Sequence, residues 1–215
     1  MRAGFMAFFA WVVPLAALAA TPPNVVVLLL DDLGNGDLGC YGAGDIRTPH
    51  IDSLAASGVR FTNFYVAAPL CSPSRAALLT GRYPARVMST SQNILSGPGV
   101  DGMSTAEVTI AELAKTRGYA TGLVGKWHLG SSDATSPNGQ GFDAFFGHLG
   151  ACIDPYSHKY YASEPWYHDL FRNKEEVFEG GVHTNELFTR EAVRFIESNR
   201  ERPFLLYVAY NVPHY

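Results

Sequence analysis

The residues with the clearest chemical potential surround a cysteine that immediately precedes a predicted helix. Cys71 opens the run Cys-Ser-Pro-Ser-Arg, in which Ser72 and Pro73 favour a helix start and Arg75 follows within the first turn. The free N–H groups and the dipole of a helix N-terminus favour an anion, and a guanidinium group matches the oxygens of sulfate or phosphate. These residue types alone leave two interpretations open. Cys71 is either a nucleophile or a buried structural cysteine beside a surface arginine.

A second candidate site consists of two adjacent carboxylates. Asp31 and Asp32 follow the apolar run 25–30, which is typical of a buried strand. Neighbouring buried carboxylates repel each other unless they share a cation, and hard oxygen ligands favour Ca²⁺ or Mg²⁺. The pair is therefore interpreted as a divalent metal site, with a helix cap or a solvated turn as the alternative.

A third candidate site contains a lysine and a histidine. Lys126 and His128 lie two positions apart in the run Gly-Lys-Trp-His-Leu-Gly. In an extended chain this spacing directs both side chains to the same side, where they could clamp an anion and supply a general acid. The alternative is a solvated loop lysine next to an ordinary hydrogen-bonded histidine.

The elements that position these residues alternate between strand and helix, which predicts a mostly parallel α/β sheet with helices on both faces. The first strand is entirely apolar and is expected to be buried on both faces. Residues 125–183, rich in glycine, aromatic residues and histidine, are expected to form long functional loops. The predicted strands are 25–30, 59–65, 119–124 and 204–210, and the predicted helices start at Thr48, Ser72, Thr109 and Thr184. Thr109 and Glu112 have the spacing of a capping box, and Gly81 is expected to end the second helix. An open sheet binds ligands beyond the carboxyl ends of its strands, where Asp31, Lys126 and His214 lie.

Composition narrows the class of protein. Of the 215 residues, 47 % are hydrophobic and 17 % are charged, which excludes a disordered or coiled-coil chain. The net charge of −4 gives no support for nucleic-acid binding. Residues 1–19 have the pattern of a signal peptide, with a membrane anchor as the alternative. A signal peptide predicts a secreted or periplasmic protein, or a lysosomal one if the source is eukaryotic. Three cysteines cannot all pair with one another, so one thiol is either buried or used chemically.

The run that starts at Cys71 resembles the signature of the type I sulfatases, of which arylsulfatase A and N-acetylgalactosamine-6-sulfatase are members. The match comprises Cys-x-Pro-x-Arg at 71–75 and the Thr-Gly pair at 80–81. Other stretches are similar to the family and occur in its order, namely 23–32, 36–39, 48–52, 125–130 and 141–143. The resemblance implies an alkaline-phosphatase-like α/β fold, and residues 20–215 would form the N-terminal part of the catalytic domain.

The resemblance also implies a role for each candidate residue. Cys71 would be oxidised by a maturation enzyme to formylglycine, whose hydrate attacks the sulfur of a sulfate ester on a carbohydrate or aryl substrate. Asp31, Asp32 and the modified Cys71 would bind Ca²⁺, with Mg²⁺ as the alternative. The remaining implied roles are holding the hydrate (Arg75), binding sulfate (Lys126 and Ser157), orienting a hydrate oxygen (His128) and contacting sulfate while protonating the leaving alcohol (His214).

The sequence departs from the family pattern at its end. In the family, an Asp-Asn pair completes the metal site and a second lysine binds sulfate, both downstream of the position of His214, whereas this sequence ends at Tyr215. We therefore expect either the N-terminal part of a longer sulfatase or a naturally truncated product, and little hydrolysis by these residues alone. Two other functions are considered: a phosphate or phosphonate ester hydrolase, which Cys71, Pro73 and Arg75 disfavour, and a non-catalytic sulfate-binding protein.

Overall fold

A six-stranded sheet forms the centre of the computed structural model, which describes residues 22–88, 102–162 and 164–214. In chain order the strands are β1 (Val25–Asp31), β2 (Ala120–Lys126), β3 (Ala144–His148), β4 (Lys159–Tyr160), β5 (Tyr167–His168), β6 (Phe171–Arg172), β7 (Glu175–Glu176) and β8 (Phe204–Pro213). The sheet order is β1-β8-β2-β3-β6-β7, and β4 pairs separately with β5. The first four strands of this order are parallel, and β6 and β7 extend the edge in antiparallel fashion. The predicted signal peptide lies outside the described residues.

Helices cover both faces of the sheet, as the alternation of elements predicts. The helices are α1 (Pro49–Ser57), α2 (Cys71–Thr80), α3 (Pro84–Val87), α4 (Ile110–Thr116) and α5 (Thr184–Ser198). One apolar cluster joins α2 and α4 to the sheet through Leu79, Ala111 and Leu123. A second cluster joins α5 to the opposite face through Phe188 and Val124. The mostly parallel α/β fold class is therefore confirmed. Within the described residues, no helix combines the length and the apolar character needed to cross a membrane.

Local capping signals explain where two of the helices begin and end. Thr109 and Glu112 form the predicted capping box of α4, because each side chain accepts a hydrogen bond from the backbone N–H of the other residue. Gly81 ends α2 with a left-handed φ of 67°, and its N–H donates to the carbonyl of Ala77. The predicted cap of α5 is wrong by one position. His183 occupies the capping position and accepts a hydrogen bond from the N–H of Asn185.

Three strand predictions differ from the structure. β1 is not buried on both faces, because Leu28 is 53 % exposed. Among the described residues, β1 lies at the edge of the sheet and pairs with β8 alone. Residues 59–65 form no strand. Their alternating apolar side chains remain exposed, so forming a strand here would bury no apolar face. The predicted loop region 125–183 contains β3 to β7, and four of these strands are only two residues long, too short to produce a sequence period.

Two glycines let the central strands approach closely beside the candidate site. Gly125 and Gly147 are paired in register on β2 and β3, and each immediately precedes the last residue of its strand. Gly125 has a φ of 108°, and a Cβ atom there would collide with the backbone carbonyl of Ala209 on β8. A Cβ atom at Gly147 would collide with the carbonyl of Gly125. The carboxyl ends of β8, β2 and β3 therefore meet at a distance that only glycine permits.

We expect Gly125→Ala to lower the free energy of unfolding by about 2–4 kcal/mol, because the new methyl group meets backbone rather than a movable side chain. Urea denaturation would measure the loss. Gly36→Ala is the matched control, since a Cβ atom at Gly36 meets nothing within 4 Å. Equal stability of the two variants would contradict the packing argument.

Candidate active site

Asp31 is the centre of a buried ionic cluster at the carboxyl end of β1. Its Oδ1 lies 3.0 Å from Arg75 Nη2, and its Oδ2 lies 2.6 Å from Lys126 Nζ. Burial raises the pKa of Asp31, but the charges and hydrogen bonds of Arg75 and Lys126 outweigh it and hold this pKa below its ordinary value. The cluster of one carboxylate and two cations carries a net positive charge, which favours a neighbouring anion.

Arg75 connects α2 to three elements of the sheet. It is 2 % exposed, and its Nη1 donates to the carbonyl of Lys126 at 3.0 Å and to the hydroxyl of Tyr207 at 3.4 Å. The alternative of a surface arginine is therefore wrong. Tyr207 was not among the sequence candidates because it lies inside the predicted buried strand of β8 and no motif distinguishes it from a core aromatic residue.

Cys71 is the first residue of α2 and is partly exposed. Because Cys71 and Arg75 are four residues apart in a helix, they lie on the same face of α2, which places the thiol next to the ionic cluster. Cys40, Cys71 and Cys152 are all free thiols, so Cys40 and Cys152 do not form a disulfide. A partly exposed thiol at a helix N-terminus fits a chemical role better than a role in core packing.

Asp32 and His128 both adopt left-handed backbone conformations, with φ of 63° and 57°. This region is unfavourable for residues other than glycine, and aspartate and histidine are among the residues that tolerate it best. Strain of this kind costs about 1–3 kcal/mol per residue and concentrates at functional sites. His128 is fully buried, whereas the Asp32 side chain is 61 % exposed. The expectation that both aspartates are buried is therefore wrong: only Asp31 is buried, because the strained turn directs Asp32 toward solvent.

His214 lies directly against the two aspartates. Its backbone N–H donates to the carbonyl of Asp31 at 3.0 Å, and its ring Nε2 is 3.8 Å from Asp32 Oδ2. This contact exists because β8 runs parallel to β1 and both strands end at the same edge of the sheet. The structure thus brings residues from the start and the end of the sequence together at one site.

The donor set fits a divalent cation only in part. Two consecutive carboxylates at a strand end offer the hard oxygen ligands that Ca²⁺ and Mg²⁺ prefer. Both oxygens of Asp31 face a cationic side chain, however, and the described residues contain no group of three or more possible metal ligands. These residues therefore provide metal ligands without forming a complete metal centre.

Ser157 lies away from this cluster. Its backbone N–H donates to Asp154 Oδ1 at 2.7 Å, and it lines a surface pocket that also includes Lys159 and Trp166. Among the described hydrogen bonds and ion pairs of Ser157, none reaches Asp31. The structure brings Asp31, Asp32, Arg75, Lys126 and His214 into one connected set and places Cys71 beside it, but it does not bring Ser157 into that set.

Two further buried residues adjoin the site and were not sequence candidates. His148 ends β3 in register with Lys126 and is fully buried. Asp169 accepts hydrogen bonds from the N–H groups of Leu149 and Gly150 and so fixes the chain that leaves β3. Burial raises the pKa of Asp169, although the two backbone hydrogen bonds act in the opposite direction. Both residues lie in the region predicted as loops, where the only available signal was its high histidine content.

Comparison with known proteins identifies the family. The family model for Sulfatase matches residues 23–215. The chain belongs to the sulfatase family. N-acetylgalactosamine-6-sulfatase of Rattus norvegicus is 41 % identical over 220 residues, which cover 93 % of this chain and 41 % of the relative. Arylsulfatase A of Homo sapiens is 52 % identical over 141 residues, which cover 65 % of this chain and 26 % of the relative.

A solved crystal structure shares this fold. The crystal structure of Ps i-CgsB superposes with a TM-score of 0.82 and 39 % identity, covering 90 % of this chain and 46 % of that chain. The predicted resemblance and the alkaline-phosphatase-like fold class are thus confirmed. The chain spans about two fifths of the length of the N-acetylgalactosamine-6-sulfatase that it matches.

Proposed function

We propose that the protein hydrolyses sulfate esters with a formylglycine derived from Cys71. The observation that carries this proposal is the buried Arg75–Asp31–Lys126 cluster beside the N-terminus of α2. The cluster provides fixed positive charge where the sequence places its signature cysteine, and fixed charges stabilise an anionic transition state without rearranging during the reaction.

The side chains of the site have separate tasks. Formylglycine in place of Cys71 would supply, as its hydrate, one hydroxyl that attacks sulfur as the S–O bond to the alcohol breaks. Loss of a proton from the second hydroxyl would then break the C–O bond to sulfate and restore the aldehyde. Arg75, held in place by Asp31, orients that hydrate from the same face of α2. Lys126 neutralises a sulfate oxygen. His214 gives a proton to the departing alcohol oxygen as the S–O bond breaks, so that the alcohol leaves as a neutral molecule. His128 orients a hydrate oxygen.

A divalent cation belongs to this proposal, with Ca²⁺ preferred over Mg²⁺. Asp31 and Asp32 would hold it, together with an oxygen of the modified Cys71 and further ligands outside the described residues. The cation supplies positive charge at the sulfate oxygens. Because the described residues form an incomplete donor set, no step of the reaction is assigned to the cation.

The proposed substrate is a sulfated carbohydrate or an aryl sulfate, as the names of the two matched relatives suggest. Ser157 remains a proposed sulfate contact. An enzyme that oxidises Cys71 to formylglycine is the implied maturation partner. Export through the predicted signal peptide 1–19 would place the mature protein in a secreted or periplasmic location.

Two measurements on the protein expressed from its complete gene test the proposal. Mass analysis of the peptide that contains Cys71 should show the thiol replaced by an aldehyde in a host that carries the maturation enzyme. Turnover should then be measured on an aryl sulfate, a sulfated hexosamine and the matching phosphate esters. We expect aldehyde formation and preferential sulfate ester hydrolysis. An unmodified thiol, or faster hydrolysis of the phosphate esters, would contradict the proposal, and the second result would favour the phosphate or phosphonate ester hydrolase.

A further inference from the structure

His148 occupies a fully buried position beside the sulfate-binding lysine of the proposed site. It is the last residue of β3, and its register partner on β2 is Lys126. Partners in register on neighbouring strands project to the same face of a sheet. The imidazole ring lies on Phe188 of α5, with ring centroids 6.4 Å apart and an interplanar angle of 16°. The ring is therefore fixed on the same face and at the same level as the Lys126 side chain.

The main chain around His148 is also fixed. Its carbonyl accepts a hydrogen bond from the N–H of Trp127 at 3.0 Å. The next carbonyl, that of Leu149, accepts one from the N–H of His128 at 3.2 Å. Asp169 accepts the N–H groups of Leu149 and Gly150. The backbone of His148 therefore cannot shift away from Lys126 without breaking several hydrogen bonds.

Neither ring nitrogen of His148 has a hydrogen-bond partner among the described residues, although the side chain is completely buried. A neutral imidazole carries one N–H donor and one acceptor nitrogen, and leaving such groups unpaired in the interior is costly. Buried polar atoms of this kind usually have an unseen partner, such as a water molecule or a ligand. A hydrocarbon side chain could stack on Phe188 without this cost.

The charges around His148 favour its neutral form. Burial is the main cause that lowers the pKa of His148 well below its ordinary value, and the positive charges of Lys126, Arg75 and His128 lower it further. Asp31 acts in the opposite direction but is outweighed. In a neutral ring, one nitrogen is unprotonated and can accept a hydrogen bond. The ammonium group of Lys126 has three N–H bonds, and its described side-chain hydrogen bond, to Asp31, uses one of them.

We propose that His148 is a positioning residue that acts through Lys126. Its acceptor nitrogen takes a second N–H of the ammonium group through one bridging water molecule, while Asp31 takes the first. The third N–H then points toward the bound sulfate. This inference rests on the proposed function for the identity of the anion, but the contact between His148 and Lys126 can be tested without turnover.

The first test is nitrogen NMR of the histidine-labelled protein, expressed from its complete gene. His148 should show one protonated nitrogen and one acceptor nitrogen, and Lys126→Met should move the acceptor signal toward that of an imidazole nitrogen without a hydrogen bond. Lys115→Met is the matched control, because Lys115 lies on α4 and pairs with Asp143 at the surface. An acceptor signal that is the same in the wild type and in Lys126→Met would overturn the proposal.

The second test separates positioning from packing by kinetics. His148→Phe keeps an aromatic ring on Phe188 but removes both nitrogens, and His148→Gln retains a donor and an acceptor. If the wild type hydrolyses an aryl sulfate, we expect His148→Phe to raise KM and the inhibition constant of inorganic sulfate about tenfold to a hundredfold, without a lower Tm. His148→Gln should recover most of this loss.

Unchanged KM and sulfate inhibition in a folded His148→Phe variant would overturn the positioning role. If His148→Phe does not fold, the NMR comparison of Lys126→Met with Lys115→Met decides the question. Absence of turnover in the wild type would count against the proposed function and not against the contact, which the nitrogen signal reports independently.

Discussion

Replacing Cys71 with alanine should abolish sulfate ester hydrolysis without disturbing the fold. Cys71 is partly exposed at the first position of α2, so its side chain contributes little to the core. Removing the proposed nucleophile should lower kcat by a factor on the order of 10⁴ or more, because the remaining groups bind and polarise sulfate but cannot attack it. The free energy of unfolding should change by less than about 1 kcal/mol. Steady-state kinetics and urea denaturation measure the two quantities.

Cys71→Ser tests whether the thiol itself is required for maturation. A serine that is not oxidised lacks the second hydroxyl of the hydrate, so sulfate cannot be released by that route, and sustained turnover should be lost as in the alanine variant. Cys40→Ala is the control, because Cys40 is a free cysteine outside the connected set of site residues. Turnover that persists in Cys71→Ala at a comparable rate would contradict the assignment of the nucleophile.

Replacing Arg75 with methionine should produce the largest loss of stability at the site. Arg75 is 2 % exposed and its partner Asp31 is 6 % exposed, so the substitution leaves a buried carboxylate with only one of its two cations. Breaking a buried ion pair by removing one partner typically lowers the free energy of unfolding by about 3–5 kcal/mol. Methionine fills much of the same volume, so the loss reports mainly on the charge and the hydrogen bonds. Urea denaturation, followed by circular dichroism, would measure it.

Arg82→Met provides a matched control for this prediction. Arg82 lies two residues after the end of α2 and pairs with Glu107, but its side chain is 48 % exposed. Exposed ion pairs contribute little to stability, so the free energy of unfolding of this variant should fall by less than about 1 kcal/mol. The conservative variant Arg75→Lys should recover part of the charge but not the forked contacts to Asp31, Lys126 and Tyr207. If Arg75→Met were as stable as Arg82→Met, the ionic cluster would not contribute to the fold as the geometry indicates.

The sequence by itself identified the elements that carry the site wherever their signals are local. The capping box at Thr109 and Glu112 and the glycine after α2 depend on hydrogen bonds within a few residues, so the pattern alone reveals them. The start of α2 was predicted one residue late, at Ser72, whereas Cys71 is the first residue of the helix. The strand at 59–65 was predicted wrongly for the opposite reason, because alternation produces a strand only where the fold offers a partner strand and a face to cover.

Only the tertiary structure decided how the charges of the site are balanced. Asp31 contacts Arg75 and Lys126, which are 44 and 95 residues away in the sequence, because the parallel strands end and α2 begins at the same edge of the sheet. No sequence period encodes such long-range pairing, so the sequence suggested a carboxylate pair that needs a metal, whereas the fold gives one buried carboxylate two protein cations. His148 was not a candidate residue in the sequence for the same reason. Its importance follows from burial and from its register with Lys126, and both are properties of the assembled sheet.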